Sequence, residues 1–430
     1  RTPMADDARL DRREFVKTSA VAAAGAAVMA SGTTALGANG RVQVGVVGAG
    51  TRGMHLLRNS IHLADVQVVA VADTYSGWLD RAIRKIRDER NPRCKSYRSH
   101  RELLDDRDVQ AVIIATPEHS HARIIIDAVC SGRDVYCEKP MVRSWKEATA
   151  VWRANEDAGR VIQVGTQRRS SDIYPVAREI VQSGKIGQVT EVRAWWNRNS
   201  DAQRPQWRCR VPGDAGPDTC NWPEWLVYAP KRPFDADRYF QWRCYWDYSG
   251  GIASDLMVHQ VDAINMVMGS SWPASVYGSG RVLRWANHDR ETPDTWNAII
   301  EYPRGAAPAA PEGFVVNYSS TFSNEHYGYK EQYLGTDGTL EMNDRELRVY
   351  AEPARVRSVA TVDEVRVTSR SNHTADHLRN FFDCCKSRRA PNCTERDGAY
   401  AAATAHIAVR SHATGRRIDW DARRMRPKDT

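Results

Sequence analysis

Two textures of apolar and polar positions divide the chain. From Arg41 to about Thr166, short apolar runs alternate with amphipathic stretches. Runs at 42–47, 66–72, 109–115, 133–137 and 161–165 are strand-like. The stretches at 52–63, 76–90, 119–131 and 144–158 carry apolar residues at helical spacing. Strands that alternate with helices predict a parallel, doubly wound, right-handed sheet of the Rossmann class. After Thr166 the texture changes. A helix around 172–183 ends at Gly184, and alternating runs follow at 188–197, 274–285, 295–302, 313–321 and 329–335. Gly335-Thr336-Asp337-Gly338 separates two such runs and reads as a hairpin turn. One helix near 253–267 interrupts these strands, and two near 374–387 and 395–412 close the chain. This half is expected to be an α+β domain with an open, mostly antiparallel sheet. The predicted division is 1–38 as a segment outside the fold, 39–167 as the Rossmann-class domain and 168–430 as the second domain.

The first strand leads into Gly48-Ala49-Gly50-Thr51-Arg52-Gly53, a GxGxxG turn that opens a helix. The second strand ends at Asp73, about 20 residues beyond Gly53. Glycines there let the backbone approach a pyrophosphate, and the helix start offers unpaired N–H groups to it. An acid at the second strand tip accepts from ribose hydroxyls and repels a 2′-phosphate, which favours NAD over NADP. Arg52 and Arg81 are nearby cations that could soften this preference.

The 430 residues carry a net charge of +8, with 42% hydrophobic and 27% charged residues, ordinary values for a globular chain. The basic residues are interleaved with acids and form no stripe, which argues against nucleic acid as a partner. Asp11-Arg12-Arg13-Glu14-Phe15-Val16-Lys17, followed by the Ala/Gly-rich run 20–30, resembles a twin-arginine export signal. The bland alternative is a basic tail. The run is too short to span a bilayer, and no other segment is apolar enough, so stable membrane insertion is not expected once the signal is removed. Among the nine cysteines, Cys209 with Cys220 and Cys393 with Cys384 or Cys385 are possible bridges, while Cys130 and Cys137 read as buried thiols. No Cys/His cluster points to zinc, and no metal is expected; His373 and His377, one helical turn apart, lack a third ligand nearby.

Two loops at the carboxyl edge of the parallel sheet hold further chemistry: Thr116-Pro117-Glu118-His119-Ser120-His121 and Cys137-Glu138-Lys139-Pro140. With GAGTRG, ATPEHSH, CEKP and the Asp255-x-x-x-His259 spacing after Gly250-Gly251, the chain from Arg41 onward resembles the glucose–fructose oxidoreductase, inositol dehydrogenase and MocA family. The resemblance implies a Rossmann domain and a second domain whose open sheet serves in homodimer or homotetramer contacts. It implies that Lys139 touches substrate and cofactor, that Asp255 and His259 are catalytic, and that Gln167 and Arg168 line the nicotinamide or the substrate. Gly48, Gly50, Thr51, Arg52, Gly53, Asp73, Thr116, Pro117, His121, Glu138, Lys139 and Gln167 are the expected cofactor contacts.

Oxidising an alcohol requires a hydride acceptor and a base for the hydroxyl proton. Asp255 and His259 fall on one helix face, with Asp262 a turn further, so a carboxylate could set the imidazole tautomer. The alternative is a buried His–Asp bond that only ties the helix down. Lys139 beside a cationic nicotinamide would have its charged form disfavoured. Seven of the fourteen tryptophans lie between Trp195 and Trp246, among tyrosines and arginines, which suits sugar rings. Packing accounts for most of them, with Trp246 the expected floor of the substrate site beside Arg168 and Asp255.

Export restricts the mechanism, because free NAD is not expected to be plentiful outside the cytoplasm. The cofactor would then stay bound through turnover, nanomolar retention corresponding to about −12 kcal/mol, and be recycled in place. The first reading is a periplasmic or otherwise exported NAD-dependent oxidoreductase acting on a sugar, glycoside or polyol hydroxyl. Alternatives are a glycoside hydrolase using transient oxidation and elimination, and a non-catalytic sugar-binding protein on the same fold.

Overall fold

The computed structural model describes residues 40–201, 203–352 and 363–428; the expected export signal lies outside the described residues. The first domain is a six-stranded sheet formed by β1 (Val42–Val47), β2 (Val66–Ala72), β3 (Lys95–Tyr97), β4 (Ala111–Ile114), β5 (Asp134–Cys137) and β6 (Ile162–Val164). Their order is β3-β2-β1-β4-β5-β6, and every pairing is parallel. Helices α1 (Thr51–Ser60), α2 (Ser76–Glu89), α3 (His100–Asp105), α4 (His121–Cys130) and α5 (Trp145–Ala158) provide the crossovers. Every residue of β4 and β5 is buried, as a sheet covered on both faces demands. Strand β3 and helix α3 escape sequence reading because β3 is an edge strand of exposed and half-buried residues, with no apolar run. Ser99 caps α3 by accepting from the N–H of Arg101.

The second domain begins with α6 (Ile173–Gln182) and is built on ten strands. These are β7 (Val189–Trp196), β8 (Ser275–Arg281), β9 (Thr295–Tyr302), β10 (Phe314–Thr321), β11 (Tyr329–Gly335), β12 (Gly338–Met342), β13 (Glu346–Ala351), β14 (Val365–Thr368), β15 (Ile418–Asp421) and β16 (Arg426–Pro427). Their order is β14-β13-β12-β11-β7-β10-β9-β8-β15-β16. Only β7 and β10 pair in parallel. Strict alternation sets the buried face: Trp296, Ala298, Ile300 and Tyr302 of β9 point inward, while Ile299 stays 45% exposed. The run expected to reach residue 285 ends at Arg281, because the buried Asp294 carboxylate accepts from the N–H groups of Leu283, Arg284 and Trp285 at 3.0–3.1 Å and turns the chain.

Between β7 and β8 the chain forms α7 (Trp222–Leu226), α8 (Ala236–Phe240) and α9 (Val258–Met268), and it closes with α10 (His373–Ser387) and α11 (Glu395–Thr414). Helices α6, α9 and α11 cover the inner face of the large sheet. The division at residue 168 is not clean. Helix α10 packs Leu378, Phe381 and Phe382 into the core of the first domain, beside Val42 and Leu57. His377 belongs to this joint: Nδ1 meets Ser170 Oγ at 2.6 Å and Nε2 meets the Val164 carbonyl at 2.9 Å, so it is a structural histidine. All nine cysteines are free thiols, contrary to the expected bridges, and Cys130, the last residue of α4, is exposed rather than buried.

Candidate active site

The dinucleotide cradle follows from backbone geometry. Gly48 has φ +91°, and a Cβ there would lie 2.8 Å from the Ala115 carbonyl. A Cβ on Gly53 would meet the Gly48 carbonyl oxygen at 1.9 Å, so only glycine lets α1 approach the turn. Gly50 precedes Thr51 without a side-chain cap, which leaves the first N–H groups of α1 for a ligand. Asp73, at the tip of β2, accepts from Ala49 N at 2.6 Å and Tyr75 N at 2.8 Å. Burial pushes its carboxyl up to about 6, against the pull of those two N–H groups. Each oxygen keeps lone-pair capacity for a ribose hydroxyl. Arg81 donates to the Ala49 carbonyl at 3.0 Å and so is tied to the turn. The cradle therefore fits a dinucleotide.

The aromatic segment between β7 and α9 lies along this cradle. Asn221 N donates to the Thr74 carbonyl at 2.7 Å, and Ser76 N donates to the Thr219 carbonyl at 3.0 Å. Arg98 bridges the same two carbonyls, and Tyr239 meets Thr74 Oγ1 at 2.6 Å. Trp78, whose ring lies against Gly50, packs edge-on to Phe240. Trp222, Trp225, Tyr239, Tyr245 and Tyr248 form a separate core, as packing predicts for most of these aromatics.

At the other end of the cradle, Lys139 Nζ donates to the Asp255 carbonyl at 2.7 Å and to its Oδ1 at 2.8 Å. Arg243 Nε reaches the same Oδ1 at 3.0 Å. Burial would raise the Asp255 carboxyl, but the charges of Lys139 and Arg243 prevail and hold it well below the usual carboxylate range. Asp255 lies in a π-helical turn, Ala253–Met257, that enters α9. Two expectations change here. The Asp255 carboxylate is committed to Lys139 and Arg243 and does not fix the His259 tautomer; His259 Nδ1 is buried without a partner among the described residues. Lys139 is ion-paired with Asp255. Burial, Lys139 and Arg168 together hold the His259 imidazole well below its ordinary value, so it is neutral. Asp262 faces away and pairs with Arg169 at 2.9 Å.

Most of the other expected contacts have partners within the protein. Arg52 and Glu138 pair with each other at 2.7 Å, joining α1 to the loop after β5. His121 bridges the Pro140 carbonyl at 2.7 Å and the Thr116 carbonyl at 2.9 Å, so it holds two loops together. Thr116 Oγ1 accepts from Ser120 Oγ at 2.7 Å, Pro117 precedes the short turn Glu118–Ser120, and Gln167 Oε1 is buried without a partner. Arg168 is buried, bidentate on Asp344 at 2.7 and 2.9 Å, and stacked between Tyr329 and Trp196. Trp246 does not floor the site: its ring packs against His412, on the core of the second domain. The aromatic beside His259 is Trp196, with ring centroids 5.7 Å apart.

Sequence reasoning missed Arg243, Arg198, Trp196 and the role of Glu118. Buried Glu118 accepts from Gly250 N at 2.7 Å and Ser254 Oγ at 3.0 Å, and so ties the loop after β4 to the turn that carries Asp255. Its place in ATPEHSH marked the loop but not this partner.

A glycine cradle for a dinucleotide, abutting a Lys–Asp–His cluster at the carboxyl edge of a parallel sheet, defines a two-domain nucleotide-dependent oxidoreductase. The chain belongs to the Gfo/Idh/MocA oxidoreductase family: residues 42–166 match its NAD-binding Rossmann domain and residues 227–420 match its C-terminal α/β domain. Inositol 2-dehydrogenase of Salmonella typhimurium is 34% identical over 149 residues, which cover 34% of this chain and 43% of that protein. The NAD⁺-dependent scyllo-inositol 2-dehydrogenase of Bacillus subtilis is 23% identical over 387 residues, covering 89% of this chain and 98% of that one. In three dimensions the chain resembles levoglucosan dehydrogenase in complex with NADH and levoglucosan, with a TM-score of 0.65, 20% identity and coverage of 88% and 99% of the two chains. At that identity the likeness supports the fold.

Proposed function

We propose that the protein oxidises a hydroxyl group of a sugar or polyol with NAD, and that the cofactor stays bound through turnover. The observation that carries this reading is the junction of the two halves of the site: Lys139, from the loop after the cradle strand β5, grips Asp255 of the second domain at 2.8 Å. The bound nicotinamide supplies the hydride acceptor. Lys139 and Arg243 stabilise negative charge that develops on the substrate oxygen. Neutral His259 takes the hydroxyl proton, and the Asp255 charge offsets the imidazolium that results. Names and bound ligands of the relatives, inositols and levoglucosan with NAD or NADH, support this substrate class.

Retention is supported by the aromatic segment hydrogen-bonded along Thr74–Ser76, which hinders escape of the adenosine end. Export by the twin-arginine route fits a protein that folds around its cofactor before transport. The outer face of the large sheet exposes Tyr277 and Ile299 and is the proposed surface for a homodimer or homotetramer. Denaturing the purified protein and assaying the supernatant for NAD(H) tests the reading. Near-stoichiometric release is expected, and an empty supernatant from an active preparation contradicts retention.

A further inference from the structure

Around Asp255 the charges do not balance. Arg52 is matched by Glu138, Arg168 by Asp344, and Arg143 is spent on the carbonyls of Trp246 and Asp247. What remains is three cations, Lys139, Arg243 and Arg198, and one carboxylate. Arg198, two residues beyond the end of β7, is half-buried and makes no ion pair or side-chain hydrogen bond among the described residues. Its guanidinium lies 4.8 Å from the centroid of Trp196, on the ring that also neighbours His259. Burial pushes Arg198 below its ordinary value; Asp255 opposes this, while Arg243 and Arg168 add to it. A half-buried guanidinium that lies on an aromatic ring and has no carboxylate of its own is well matched by an anionic ligand group. Guanidinium suits a planar or multi-oxygen anion, which it can grip with two parallel N–H bonds. A dinucleotide does not account for the excess, because its phosphates belong at the glycine turn, in the other domain from Arg198.

We propose that the substrate is an acidic sugar, with a ring-borne carboxylate or sulfate ester held by Arg198, while the hydroxyl to be oxidised lies between Lys139 and His259. This inference rests on the sugar-oxidising reading above and narrows its substrate class.

The test compares ligands matched in all but charge. Quenching of tryptophan fluorescence in the holoprotein is titrated with D-glucose, D-galactose, D-glucuronate, D-galacturonate and D-glucose 6-sulfate, at low and high salt. At least one acidic sugar is expected to bind ten-fold or more tighter than its neutral counterpart, with an advantage that shrinks in salt. A preferred uronate identifies the anion as a carboxylate, and a preferred 6-sulfate identifies a sulfate ester. In Arg198→Gln the ratio of acidic to neutral affinity should fall toward one; Arg198→Lys should keep part of it. Equal binding of acidic and neutral sugars, or an unchanged ratio in a folded Arg198→Gln, overturns the inference. Failure of all five sugars to bind overturns it together with the sugar reading. Absence of nucleotide from the purified protein damages only cofactor retention; the same titration is then run with NAD added, and the affinity ratio decides the inference in the same way.

Discussion

The cofactor cradle and the substrate cleft are assembled in opposite ways. Between Gly48 and Asp73 the chain supplies a turn, a helix start and a carboxylate in one continuous stretch from the end of β1 through α1 to β2, and what it offers a ligand is mostly backbone. The cleft gathers Lys139, Trp196, Arg198, Arg243, Asp255 and His259 from dispersed segments, and what defines it is side-chain charge. A backbone site depends on sterics and tolerates no added atom. A charge cluster depends on balance and yields to substitution by degrees.

The largest effect should come from the cradle. Gly53→Ala places a methyl group 1.9 Å from the Gly48 carbonyl oxygen. It is expected to cost about 3 kcal/mol or more, read as a lowered melting temperature, and to leave the protein without nucleotide. Normal melting with full nucleotide content would break the contrast. In the cleft, Lys139→Ala should leave the fold intact and reduce turnover by roughly 10²–10³-fold, the usual range for loss of one group that stabilises developing negative charge. Turnover within a few-fold of the parent would remove Lys139 from the chemistry. Between the two regions stands Glu118. Its change to Ala unbinds Gly250 N and Ser254 Oγ and should lower stability by about 1–3 kcal/mol, while Glu118→Gln, which still offers an acceptor, should recover most of this.

A smaller effect follows from Asp73, whose carboxyl burial pushes up to about 6. Its ionised form is the one that accepts from ribose hydroxyls. Affinity for NAD should therefore be flat above pH 7 and fall as pH drops through about 6, by roughly ten-fold per unit. Stability of the nucleotide-free protein has the opposite sign. The folded chain binds this proton more tightly than the unfolded one, whose carboxyl titrates near its ordinary 3.8. An ionised Asp73 thus costs stability above pH 6, and the cost disappears as pH falls toward 4. Asp262, raised to about 6, and Glu331, raised to about 7, both by burial, act in the same direction. Titrating affinity and melting temperature over pH 4.5–8 should show the two curves diverging, and Asp73→Asn should flatten the first.

The contrast also explains what sequence could reveal. The parallel sheet, its strands other than β3, its helices other than α3, and the glycine turn were legible because each is local: apolar runs, helical spacing of 3.6, and glycines at fixed offsets. Lys139, Asp255 and His259 were legible as members of short motifs. Their partners were not. That Asp255 is claimed by Lys139 and Arg243, and not by His259, depends on a π-helical turn that breaks the simple four-residue spacing. Trp196 instead of Trp246 lies beside His259 because the end of β7 and α9 are brought together by the sheet, which no local pattern encodes. Helix α10 was found, but not its attachment to the first domain, since one apolar helix face looks the same whichever core it enters.

The central claim is that a hydride passes between a captive nicotinamide and a sugar carbon beside Lys139 and His259. The direct measurement is a single turnover of the purified holoprotein with a bound sugar carrying deuterium at each carbinol carbon in turn, followed by mass analysis of the released cofactor. The account predicts reduced cofactor one dalton heavier than that formed from unlabelled sugar, for one labelled carbon, with the transfer slowed in Lys139→Ala in step with turnover. Product formation with no label in the bound cofactor from any carbon would contradict it.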